Sequence, residues 1–153
     1  MLLIQFRIGD QAYAVSASDV QRILPLPRLD AFPAGPPGLR GVFLYRGALM
    51  PVIDLRFLLE GTTSREGLGS RLLLVGTRAS GTGDTPAFAM LADRVSVFRA
   101  SGETQATLTL PSAGEASCVG PLLTIDGIPT RVVEWQRLLT PDMLAIGEGT
   151  WNR

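Results

Sequence analysis

Residues 2 to 15 alternate in the manner of strands. Leu3, Gln5 and Arg7 are set against Leu2, Ile4, Phe6 and Ile8, Gly9-Asp10 breaks the run, and Tyr13, Ala14 and Val15 resume it. A period of two interrupted by a Gly-containing pair reads as strand, turn, strand. The next segment, SASDVQRIL, places Ser18 and Gln21 at the spacing of a capping box, which predicts one short helical turn. On such a turn Val20 and Ile23 share a face and Arg22 turns away from it. The stretch LPLPRLDAFPAGPPGLRG carries Pro25, Pro27, Pro33, Pro36 and Pro37, so it predicts an edge strand and a stiff connecting loop rather than a helix or a central strand.

GVFLYRGALMPVIDL, residues 41–55, holds a lone Arg46-Gly47 pair between two apolar strings, the pattern of a tight hairpin. DLRFLLEG then predicts a short helix with Asp54 at its N-cap and Gly61 as its stop. GTTSREGLGS reads as a loop, RLLLVGT as a buried strand, RASGTGDTP as a hairpin loop, and AFAMLADRVSVFRA as a strand that breaks near Asp93-Arg94. Residues 101–117 are polar and turn-rich, with a short Leu108–Leu110 piece. VGPLLTIDGIPTRVVEW predicts two strands joined at Asp126-Gly127, and WQRLLTPDMLAIG a short helix or turn. Nine or ten short strands, spaced by about ten residues with Gly and Pro between them, predict small barrels or a sandwich. No solenoid or propeller repeat is seen.

The length of 153 residues suits one domain spanning 1–153, able to bury roughly 70% of its unfolded surface. Residues are 46% hydrophobic and 18% charged, and a mean hydropathy of +0.24 means either an interior unusually large for the length or some apolar surface left for partners. The 14 basic residues are all arginine and are matched by 14 acidic ones, scattered without a basic stripe, which argues against nucleic acid as partner. With no histidine and a single cysteine, Cys118, the chain lacks the groups for Ser-His-Asp or Cys-His catalysis, His-containing zinc sites or an internal disulfide. The N-terminus has no basic n-region, and Gln5 and Arg7 interrupt its apolar run, so no signal peptide is expected. No stretch reaches the length of a membrane span, and a cytoplasmic location without membrane insertion is expected.

Little else points to chemistry. The Gly-rich segments lack the Gly-Lys-Ser/Thr ending of a phosphate loop. Asp54, Asp93 and Asp126 are the conceivable carboxylate group, but Asp126 suits a turn, Asp54 a helix cap, and no spacing draws the three together. The expectation is a protein that binds, with no catalytic residue, metal or cofactor. Arg46 then has two readings: a solvated turn residue, or a charge held on a rigid hairpin for a partner.

An ordered set of segments decides between them. FRIGDQAYAV, VQRI, FPAGPPGLRGV, LYRG and PVIDLR, with FAMLADRVSVF and TIDGIPTRVVEWQRLL further on, resemble the CheW-like adaptors of bacterial chemosensory arrays. The similarity covers almost the whole chain and is strongest over residues 4–58. The resemblance implies a mainly β fold of two small five-stranded SH3-like barrels packed together, with short helical segments. It also implies a non-enzymatic adaptor. Its partners would be the regulatory domain of a chemotaxis-type histidine kinase and the cytoplasmic tip of a methyl-accepting chemoreceptor, in arrays on the inner face of the membrane. Carried over by position, Arg46 is a partner contact and Val20 lies in the receptor groove, where Ala17, Ile4 and the region of Val95 also match. Three departures mark this chain. Arg22 stands where many members are acidic, Tyr45 replaces a leucine of the hairpin, and Glu134-Trp135 stands where Asp followed by an aliphatic residue is common. A scaffold that binds kinase only, without receptor contact, is the alternative.

Overall fold

The computed structural model describes residues 2–76, 86–99, 106–108 and 119–147. The predicted hairpin loop at 78–85, most of 101–117 and Cys118 lie outside them. In chain order the elements are β1 (Leu2–Ile8), β2 (Gln11–Ser16), a 3-10 turn (Ala17–Asp19), β3 (Val20–Pro25), β4 (Leu39–Tyr45), β5 (Ala48–Asp54), α1 (Leu55–Glu60), β6 (Ser70–Val75) and β7 (Phe88–Asp93). They continue with β8 (Ser96–Arg99), β9 (Ala106–Leu108), β10 (Val119–Ile125), β11 (Ile128–Val133), a second 3-10 turn (Trp135–Leu138) and α2 (Pro141–Gly147).

Two sheets result. The first has the order β8-β1-β2-β11-β10-β9 and the second β3-β6-β7-β5-β4. All pairings are antiparallel except β2–β11 and β5–β7. The chain begins in the first sheet, builds the second from its middle, and returns to complete the first. The mainly β, two-unit architecture with few helices agrees with the expectation, and the first sheet carries a short sixth strand, β9.

Period-two alternation explains the layering. In β1, Ile4, Phe6 and Ile8 face a core shared by both sheets, while Leu3 faces a small cluster with Ala14 and Ile125. In β6, Leu73 and Val75 enter the shared core, and Leu72 and Leu74 enter a cluster with Phe43, Met50, Val52, Ala89 and Leu91 inside the second unit. That is why RLLLV reads as an unbroken apolar run: both of its faces are covered. Each such side chain contributes about 2 kcal/mol relative to exposure.

One local prediction is overturned. The helical turn over SASDVQRIL shrinks to the 3-10 turn Ala17–Asp19, and Val20 onward is strand. The Ser18 hydroxyl lies 2.8 Å from the Ser16 hydroxyl, and no capping box forms. β-branched Val20 and Ile23 find a cross-strand partner in apolar β6, and that pairing outweighs the capping signal. A bulge at Gln21 nevertheless preserves the predicted geometry. Val20 opposes Val75 and Ile23 opposes Leu73, both shared-core residues, whereas Arg22 opposes Leu74 on the other face.

Among the described residues no helix is long and apolar enough to cross a membrane, and no three His, Cys, Asp or Glu side chains are grouped to hold a metal ion.

Candidate functional site

The β4–β5 hairpin closes through Arg46 at φ 49° and Gly47 at φ 82°, positive values at both central positions that match the right-handed twist of the strands. Glycine accepts such a φ without cost, whereas arginine does not. The Arg46 guanidinium carbon sits 5.3 Å from the Tyr45 ring centroid, and the Tyr45 ring meets Phe43 edge-on at 6.3 Å. Phe43 is buried in the second unit, so the exposed cation rests on an aromatic stack rooted in the core. On the other face of the hairpin, the cross-strand pair Leu44 and Leu49 is 70% and 44% exposed. The tip thus carries a positive charge stacked on one face and an uncovered apolar pair on the other.

The base of this hairpin is rigid for a separate reason. Asp54, fully buried, caps α1 by accepting from the Arg56 and Phe57 amides at 3.0 and 3.4 Å. It also accepts from the Ser64 amide and hydroxyl, both at 2.7 Å, and from Arg40 at 3.2 Å. Arg40 in turn donates to the Ser64 carbonyl and pairs with Glu66. Every lone-pair direction of the carboxylate is used to tie the loop after α1 to the hairpin, which leaves none for general acid or base work. Gly61, at φ 78°, ends the helix as expected.

A second surface lies where the shared core reaches the sheet edges. Ala17, Val20 and Val95 are half-buried and pack against that core. Ile4 is only 3% exposed and supports the surface from beneath rather than presenting one. Val97 on edge strand β8 pairs with Ile4, and Val97, Leu2 and Ile23 are 55%, 46% and 37% exposed. They extend the apolar strip on the same sheet faces.

The sequence-predicted residues therefore fall into three groups. Ala17, Val20 and Val95 pack against the same shared core, of which Ile4 is a buried member; Tyr45 and Arg46 share the hairpin tip; Arg22 stands exposed on the opposite face of β3. Leu44, Leu49, Leu2, Ile23 and Val97 were missed, because a leucine or valine in a strand reads as core until its place at an edge or tip is known.

Comparison with known proteins bears on the family and the fold. The sequence fits the profile of the CheW-like domain over residues 2–140. Over 53 residues it is 43% identical to a probable chemotaxis protein CheW of Rhizobium etli, a stretch covering 35% of this chain and 34% of that relative's length. The fold matches the crystal structure of the scaffolding protein TtCheW from Thermoanaerobacter tengcongensis with a TM-score of 0.72 and 16% identity, over 93% of this chain and 89% of the other. With the profile spanning nearly the whole chain and the two-sheet fold in agreement, the chain belongs to the CheW-like domain family.

Proposed function

We propose that this chain is a non-enzymatic coupling adaptor that joins the cytoplasmic tip of a chemoreceptor to the regulatory domain of a histidine kinase. In this reading the apolar strip around Ala17, Val20 and Val95 is a groove that takes the receptor tip. The hairpin tip of Leu44, Tyr45, Arg46 and Leu49 meets the kinase, and the complex resides at receptor arrays on the inner face of the membrane. The observation that carries the reading is Arg46 itself. An arginine is held at φ 49°, where Asn, Asp or Gly is favoured, yet its charge is presented on an aromatic stack, with two exposed leucines on the hairpin's other face. Strain retained at an exposed point suits a contact of fixed geometry, with the guanidinium aimed at a partner carboxylate. Arg22, opposite in charge to many relatives, acts at the rim and selects a dedicated receptor and kinase, as in a surface-sensing rather than a motility pathway.

The test uses calorimetric titration with the receptor-tip fragment and kinase regulatory domain from the same organism. Arg46→Asp is the informative variant, because Asp126 already occupies the same turn conformation in the other hairpin. The expected result is binding of both partners by wild type, with kinase affinity falling about tenfold or more in the variant and receptor affinity unchanged. Kinase binding without receptor binding supports the kinase-only scaffold instead. Binding of neither partner rejects the adaptor reading.

A further inference from the structure

The first of the two crossovers between the sheets is the 3-10 turn Ala17–Asp19. Locally it has the Ser16–Ser18 hydroxyl contact and the bond from the Val20 amide to the Ala17 carbonyl, while Ser16 makes no side-chain cap bond. Its long-range tie comes from residues more than a hundred positions away. Asp19 Oδ2 accepts from the Trp135 indole Nε1 and from the Gln136 side-chain amide, both at 3.3 Å and across 116 and 117 residues. The indole is 2% exposed and meets the Phe88 ring of β7 edge-on, with centroids 6.0 Å apart at 83°. Trp135 therefore follows directly on β11 of the first sheet, touches the second sheet through Phe88, and anchors the crossover through Asp19. Ala17 and Val20, the two half-buried residues of the proposed groove, flank Asp19 in sequence.

We infer that Asp19 is a positioning residue for the groove, fixing Ala17 and Val20 between the sheets through its bonds to Trp135 and Gln136. The inference rests on the groove reading above. A buried indole N–H requires an acceptor, and one carboxylate oxygen serves both it and the Gln136 amide. Removing the acceptor leaves the indole N–H unpaired, so the crossover moves or the indole tilts; either change alters the spacing of the apolar residues beside it. Asparagine at the same place restores one acceptor oxygen, and the Gln136 amide can rotate to accept from its nitrogen. Trp135 is thus explained as more than a filler of the shared core.

The experiment compares wild type, Asp19→Ala, Asp19→Asn and Trp135→Phe. Binding is read with the receptor-tip fragment and, separately, with the kinase regulatory domain, and backbone amide NMR spectra are recorded without partner. Asp19→Ala and Trp135→Phe should weaken receptor-tip binding about tenfold and leave kinase affinity within about twofold, while Asp19→Asn recovers most of the loss. The amides of Ala17 and Val20 should shift in Asp19→Ala and return toward wild type in Asp19→Asn. Equal loss for both partners would mark a general structural role and overturn the inference, as would unchanged receptor affinity in a folded Asp19→Ala protein. If wild type binds no receptor tip, the groove reading fails on its own. The NMR arm then still decides whether Asp19 sets the positions of Ala17 and Val20, and unmoved amides would overturn that too.

Discussion

The two hairpins of the molecule, β4–β5 and β10–β11, follow one plan and differ at their bases and tips. Residues 44–59 and 124–139 correspond position by position with a constant offset in the chain. Arg46-Gly47 corresponds to Asp126-Gly127, with φ values of 49° and 82° against 49° and 75°. In each, the second strand pairs with a parallel neighbour, Val52 opposite Ala89 and Val132 opposite Ala14, and then leads into a short helical segment. Leu55 and Trp135 are the buried residues that open those segments. The caps before them diverge. Asp54 is buried and fully bonded, whereas Glu134 makes no side-chain cap bond and only an exposed pair with Arg137 at 2.9 Å. At the tips the order reverses. The second hairpin carries the residue its turn favours, and the first carries one its turn resists. The first hairpin is thus stiff at its base and strained at its tip, which is the distribution expected of an element that presents a contact.

The largest test of this comparison lies at the caps. Asp54→Ala removes a buried carboxylate with five donors around it and should cost about 3 kcal/mol in denaturant unfolding. Glu134→Ala, at the matching position, should change stability by less than about 0.5 kcal/mol. Similar losses in both would mean that the hairpins are equivalent after all.

Next in size are the tips. Asp126→Arg places a side chain at positive φ with Ile125, not an aromatic ring, before it, and should cost about 1 kcal/mol. Arg46→Asp relieves the turn but gives up the Tyr45 stacking, and the two effects offset to within about 0.5 kcal/mol. Thermal melts of the two variants check the asymmetry.

The smallest effect is where the hairpin units meet. Tyr13 on β2 lies opposite Arg131 of β11 and interacts with Glu60 at the end of α1. Burial, then the Glu60 carboxylate, raises its phenol above the ordinary 10.0, with Arg131 opposing. A raised folded value favours the neutral phenol, so its contribution is fully present below pH about 10 and is lost as the pH rises through the folded value. Tyr13→Phe should therefore unfold less steeply with rising pH above about 10 than wild type, while differing from it by less than about 1 kcal/mol at neutral pH. Parallel denaturation series at several alkaline pH values read this out.

Much of the hairpin architecture was legible because its signals are local. Arg46-Gly47 and Asp126-Gly127 announce turns, Asp54 sits at a cap, and Gly61 stops a helix, each within a few residues of what it controls. Three features were not legible. The bulge at Gln21, which keeps Val20 and Ile23 on one face of a strand rather than of a helix, depends on β6, about fifty residues away. The donors that complete Asp54, Arg40 and Ser64, are brought in by the fold. The correspondence of the two hairpins is hidden because Gly47, Val52, Leu58 and Leu59 and their counterparts Gly127, Val132, Leu138 and Leu139 are all that the two stretches share. The proposed contacts at Arg46 and Val20 come from the resemblance, whereas the exposure of Leu44 and Leu49 became visible only once the strand ends were placed.

The return of the chain to its first sheet has a consequence for how the protein is made. Ala12 of β2 lies opposite Thr130 of β11, so the inner strand of that sheet lacks its second neighbour until residues 128–133 have been made. The second sheet, drawn entirely from residues between Val20 and Asp93, emerges complete much earlier. Long-range parallel pairing is slow to form, and an unpaired strand edge waiting for it is open to association with other chains. Trp135 and Gln136 follow that strand, so the bonds that tie Asp19 to them form only after the first sheet has gained β11.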